Sequence, residues 1–134
     1  MILLLLGVTA EALASEIVVI VNRANSTDSM TRQQVLDLYM GRKHEYPNGG
    51  SALTIDQSPD SEIRASFYRE LVNKSIAQVN AYWARLLFTG RASPPRTMAD
   101  NQSVVKIVRD NRDAIGYVES SSLDDTVKMV YKFE

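Results

Sequence analysis

The chain has 134 residues, a formal charge of −1, 45% apolar and 23% charged residues, and no cysteine. That length suits one domain built on one core, and the composition is too apolar for a disordered chain. Nucleic-acid binders draw much of their affinity from a basic surplus that is missing here, and the lack of cysteine excludes disulfides, thiolate metal sites and Cys nucleophiles.

Residues 1–14 hold the uncharged run Ile2-Leu3-Leu4-Leu5-Leu6-Gly7-Val8 followed by Ala12-Leu13-Ala14, an A-x-A cleavage pattern. This predicts a secretory signal peptide, although no Lys or Arg precedes the run, with residues 15–134 as a single exported, periplasmic domain. The apolar run falls short of the roughly twenty residues needed to cross a bilayer, so no membrane span is expected. Removing the leader removes Glu11 and leaves the domain formally neutral.

Ile17-Val18-Val19-Ile20-Val21 is a continuous β-branched run, the pattern of a strand buried on both faces. Asn22 to Ser29 is polar and turn-rich. Thr31 with Gln34 makes a capping box for a helix carrying Val35, Leu38 and Tyr39, which Gly41 ends. The turn residues Pro47-Asn48-Gly49-Gly50 lead into a second strand at Ala52-Leu53-Thr54-Ile55. Ser58-Pro59 predicts an N-cap followed by proline at the first helical position, with Ile63, Phe67 and Leu71 along one face.

Ser75 and Gln78 form another capping box, for a helix whose stripe is Ile76, Val79, Trp83, Leu86 and Leu87. Gly90 to Pro95 breaks the chain. Asp100 is placed to cap a helix with Val104, Val105 and Val108, before strands at Ala114–Val118 and Val127–Tyr131. Strands alternating with helices predict an α/β domain with a mostly parallel sheet and helices on both faces. Ligands of such sheets gather beyond the carboxyl ends of strands, at helix N-termini, which directs attention to Asn22–Asp28 and Asp56–Ser61.

Three segments carry a resemblance. Met30-Thr31-Arg32-Gln33-Gln34-Val35-Leu36-Asp37-Leu38-Tyr39-Met40-Gly41-Arg42-Lys43 is a capped helix ending at a glycine and a basic residue, Ala114-Ile115-Gly116-Tyr117-Val118 is a late strand, and Trp83 precedes a Phe88-Thr89-Gly90 loop. In order and spacing they resemble the phosphate-binding branch of the type II periplasmic binding proteins, the solute receptors of ABC importers, over nearly all of residues 16–131, and they cover one lobe. The resemblance implies the fold of that lobe and a role in solute capture, alongside an ABC transporter, a second lobe or a second copy in a homodimer. It also implies an oxyanion such as phosphate held by an arginine at a strand end and by a Ser-Gly-Thr-type turn. Here Asp56 stands at the arginine's place, and Pro59, Asp60 and Glu62 occupy the turn, where the carboxylates oppose an anion.

The candidate ligand-binding residues are therefore Ser58, Ser61 and Arg64 on one segment and Asn25 and Ser26 on the other; the plainer role of Ser58 is a cap, and of Asn25 and Ser26 an ordinary loop. Arg85, Arg91 and Arg96, flanked by Trp83 and Phe88, are candidates for contact with a partner, with Trp83 itself read as core. The single His44 has no neighbour at metal-ligand spacing, and Asp124-Asp125 lacks an EF-hand pattern, so no metal and no cofactor are expected. No G-x-S-x-G or S-x-x-K pattern is present, and the domain is expected not to be an enzyme. The alternative to solute capture is a periplasmic protein-interaction or sensor module that keeps the fold.

Overall fold

The computed structural model describes residues 16–133; the predicted signal peptide lies outside the described residues. Five strands, β1 (Ile17–Asn22), β2 (Leu53–Asp56), β3 (Arg96–Thr97), β4 (Ala114–Glu119) and β5 (Val127–Lys132), form one sheet in the order β3-β2-β4-β1-β5. Four helices connect them: α1 (Arg32–Tyr39), α2 (Glu62–Val72), α3 (Ile76–Phe88) and α4 (Asn101–Asp110). Among the described residues no helix is long and apolar enough to cross a membrane.

Helices cover both faces, as predicted. In β1, Ile17, Val19 and Val21 point toward α1, α2 and α3, while Val18 and Ile20 point toward α4. A strand that alternates between two cores has no polar face, which is why its run of β-branched residues is unbroken. Gly116 of β4 faces α4 so closely that a Cβ there would lie 2.6 Å from Val104 Cγ1. The glycine therefore sets the distance at which helix and sheet pack.

The helix starts follow local hydrogen-bond chemistry. Thr31 and Ser75 each close the capping box with the glutamine three residues on, and the Asp100 side chain accepts from the Ser103 amide. The start of α2 corrects the sequence reading: Ser61, not Ser58, is the N-cap. Ser58-Pro59-Asp60-Ser61 closes as a turn with Ser61 N–H donating to the Ser58 carbonyl at 3.0 Å, so Pro59 takes the second position of a turn, which it favours equally. Strand β3 was not anticipated, because its two residues are exposed and follow a breaker-rich stretch.

The sheet is mixed. β2 pairs in parallel with β3 and β4, but β1 runs antiparallel to both of its neighbours. An apolar run reports burial on two faces and says nothing of direction, so this antiparallel strand could not be told from a parallel one. The consequence is positional. Val21 pairs with Ile115 and Leu53 with Ala114, so β1 ends beside the starts of β2 and β4, at the opposite end of the sheet from Asp56.

Candidate functional site

The five candidate residues accordingly do not converge. Asn25 and Ser26 lie in a polar cleft of 260 Å³ with Tyr46, Asn48 and Arg112, at the end where β2 and β4 begin. Asn25 is buried and structural: its side-chain oxygen accepts from the Thr27 amide at 2.8 Å and its amide group donates to the Arg112 carbonyl at 3.3 Å. Ser26 is exposed and hydrogen-bonded to Asn48. The common edge expected from Asn22 to Ser61 is undone by the direction of β1.

Ser58, Ser61 and Arg64 remain together beyond the carboxyl end of β2. The Ser61 hydroxyl donates to the Ser58 carbonyl at 2.8 Å and accepts from the Arg64 amide at 3.3 Å, so its hydrogen bonding is committed to the cap. Arg64 N and Ala65 N bond to Ser61, leaving Glu62 N and Ile63 N as the helix-start amides that no earlier turn can satisfy. Asp60 and Glu62 are exposed beside them.

Arg64 does not reach out to a ligand beside Ser58 and Ser61. Its side chain turns inward, 9% exposed, and its Nε lies 3.2 Å from Oδ2 of Asp56, itself 2% exposed. Asp56 sits at the end of β2 and is surrounded by donors. Tyr68 OH donates to Oδ2 at 2.8 Å; Oδ1 accepts from the Gln57 amide at 2.8 Å and from Tyr117 OH. Gln57 extends the network, donating to the Tyr117 carbonyl at 2.9 Å and to Asn101 Oδ1 at 3.0 Å, and Asn101 in turn donates to Glu119 at 3.0 Å. One carboxylate thus ties β2 to α2 and to β4, and Gln57 ties the same point to α4.

Aromatic packing encloses the network. Phe67 stacks on Tyr117 with centroids 3.7 Å apart, and Tyr39 packs edge-on against Phe67, Tyr68 and Tyr117. Tyr39 OH shares its one proton between the carbonyls of Ile55 at 2.8 Å and Ile115 at 3.1 Å, bridging β2 and β4. Burial first, and the Asp56 charge second, push the Tyr39, Tyr68 and Tyr117 phenols well above their ordinary value. They stay neutral and act as donors.

Tyr68 and Tyr117 were not singled out from the sequence. A signal was available for each: Tyr68 is four residues after Arg64 on the same helical face, and Tyr117 is a polar-tipped residue inside the apolar strand Ala114–Glu119. Trp83 is core, 6% exposed, and also lines a cleft of 290 Å³ beside Asp56 and Arg64. The arginine segment leads into an exposed tip, where Phe88 is 92% and Leu87 56% exposed.

Solved structures share this fold. An ABC-type phosphate transport receptor from Vibrio cholerae matches with a TM-score of 0.70 and 20% identity, over 88% of this chain and 46% of the receptor. A putative phosphate ABC transporter substrate-binding protein with bound phosphate from Clostridium perfringens matches at 0.71 and 20%, over 88% and 45%. PstS from Borrelia burgdorferi matches at 0.66 and 13%, over 92% and 53%. The chain spans about half the length of these proteins, so its fold is that of one lobe of a phosphate-type binding protein. No family model matches the sequence, and no curated protein does.

Proposed function

We propose that this domain is a solute-receptor lobe of the periplasm that holds a small oxyanion, phosphate or a relative of it, weakly at the start of α2. The observation that supports this reading most is the end of β2, where the Ser58–Ser61 turn delivers the chain into α2 with the Glu62 and Ile63 amides leading. Amides at a helix start attract anions through both hydrogen bonding and the helix dipole. The proteins of like fold are phosphate receptors by their own descriptions, one of them with phosphate bound. The anion is held weakly because Arg64 has spent its charge on Asp56, and because Asp60 and Glu62 oppose it. The site reading is revised accordingly: Ser58 and the Glu62 and Ile63 amides carry it, Ser61 holds the helix start as its cap, Arg64 stays paired with Asp56, and Asn25 and Ser26 take no part.

Half a clamshell leaves such a ligand open to water, so firm capture requires a second lobe, a second copy of the chain or an ABC transporter. The proposed role is binding without chemistry: no bond is made or broken. Isothermal titration with phosphate tests it. Heat that saturates at millimolar phosphate is expected, and no heat with phosphate or sulfate at millimolar protein would remove the reading.

The exposed Leu87 and Phe88, beside Arg85 and Arg91, favour a second reading, a periplasmic protein-interaction or sensor module. A protein partner that is lost on Phe88→Ser or Arg91→Glu, in a chain that gives no heat with phosphate, selects it.

A further inference from the structure

A second site lies in the cleft between α3 and the segment that leads into β3. Two buried side chains that line it each keep a nitrogen without an acceptor: Arg64 Nη1, which carries two N–H groups, and Trp83 Nε1, which carries one. Both residues are more than nine-tenths buried. Unmet donors in a core are expensive and uncommon, and where two occur on one cleft the economical explanation is an acceptor that arrives from outside. Arg64 lies in the first turn of α2, so this cleft adjoins the proposed oxyanion site, but its two donors are side-chain groups and not the helix-start amides of Glu62 and Ile63.

The chemistry of the lining selects the visitor. Asp56 forms part of the same cleft, yet its two oxygens already accept from Arg64 Nε, Tyr68 OH, Tyr117 OH and the Gln57 amide, which fills the roughly four acceptor positions of a carboxylate. Asp56 thus offers no free acceptor position to an ammonium ligand, and the other polar lining groups, Asn80 and Thr97, are neutral. Arg64 is already balanced by Asp56, so every added negative charge is uncompensated among the lining residues; a monocarboxylate brings one such charge and a phosphate dianion two, which favours the monocarboxylate of the two. The remaining walls are largely apolar, supplied by Pro59, Trp83, Ala84, Leu87, Pro94 and Pro95. Two separate donors match the two oxygens of a carboxylate, and 290 Å³ is at the small end of ligand sites.

We infer that this cleft binds a monocarboxylate with a short apolar body, its oxygens accepting from Arg64 Nη1 and Trp83 Nε1. Both donor atoms are themselves shielded from solvent, so binding requires side chains of the cleft to move aside. The same group, a carboxylate next to an aliphatic chain, occurs on a free short-chain acid and on the C-terminus of a peptide ending in an apolar residue.

Trp83 is the only tryptophan of the chain, so its fluorescence reports the cleft directly. The full chain is titrated with hexanoate, hexanamide, inorganic phosphate and a dipeptide acetylated at its amino end and ending in leucine. Saturable change is expected with hexanoate or the dipeptide; the tighter of the two identifies the source. Hexanamide should bind at least tenfold more weakly and phosphate should leave Trp83 unchanged. Ala84 is an exposed helix position on the cleft wall, and Ala84→Phe should weaken the response at least tenfold while far-UV circular dichroism is unchanged. No saturable response to either carboxylate, or one that Ala84→Phe leaves intact in a folded protein, overturns the inference. An equal response to hexanamide or to phosphate overturns it as well. Phosphate heat without any Trp83 response would leave the α2 site standing and remove this one.

Discussion

Replacing Asp56 by alanine should nearly unfold the domain. The carboxylate is 2% exposed and is, among the described residues, the one acidic partner of an arginine side chain that is 9% exposed, so its removal strands a buried guanidinium. Breaking one side of such a pair costs about 3–5 kcal/mol. Tyr68 OH and Tyr117 OH lose their acceptor at the same time; an orphaned buried donor costs about 1–3 kcal/mol, although members of one network do not add. A domain of this size has about 5–15 kcal/mol in total, so Asp56→Ala takes a large fraction of it. Asp56→Asn retains an acceptor for Tyr117 and the Gln57 amide, and should fall between. Urea unfolding followed by Trp83 fluorescence and by circular dichroism measures both. The decisive comparison is a cycle with Arg64→Met, a residue of similar length without charge: Asp56→Asn and Arg64→Met should together cost at least about 1 kcal/mol less than their sum. Costs that add to within about 0.5 kcal/mol, with Asp56→Ala below about 1 kcal/mol, would refute the argument that these residues act as a buried unit.

Three further outcomes follow from the packing and the titrating groups. Gly116→Ala forces a methyl into Val104, and should destabilise by about 1–3 kcal/mol in urea, with Val104→Ala in the same chain recovering part of the loss. Ser75→Ala removes the hydroxyl that caps α3 and should cost about 1 kcal/mol, read as a shift of the thermal midpoint. Because the folded-state phenols of Tyr39, Tyr68 and Tyr117 are raised, their contribution is complete below the unfolded tyrosine value near pH 10, and declines as pH rises above it. Each tyrosine then subtracts about 1.4 kcal/mol per pH unit, so the urea midpoint should be flat up to about pH 9 and fall steeply beyond about pH 10. A flat profile to about pH 11 contradicts the burial of these hydroxyls.

Much of the fold was legible because local rules and burial agreed. Thr31 with Gln34, Ser75 with Gln78, and Asp100 announced their helices, and all three caps form. The β-branched run of β1 announced burial on two faces but could not announce direction, and direction decides which loops share an end of the sheet. For that reason the sequence could not show that Asn25 and Ser26 lie at the other end of the sheet from Ser58, Ser61 and Arg64. Ser58-Pro59 satisfies the rules for a helix start and for a turn equally well; only the hydrogen bond from Ser61 N–H to the Ser58 carbonyl distinguishes them. The burial of Arg64 was not legible because its partner, Asp56, precedes the helix by a turn, and pairing across that turn depends on how α2 lies on the sheet.

The placement of the anion site beside β2, rather than at the end of β1, is tested most directly by following backbone amide resonances while phosphate is added. The account predicts saturable shifts of Ser61, Glu62 and Ile63, with Asn25, Ser26 and Thr27 unmoved. Shifts centred on Asn25 to Thr27 with the α2 start silent, or no shift at all at high phosphate, would contradict it.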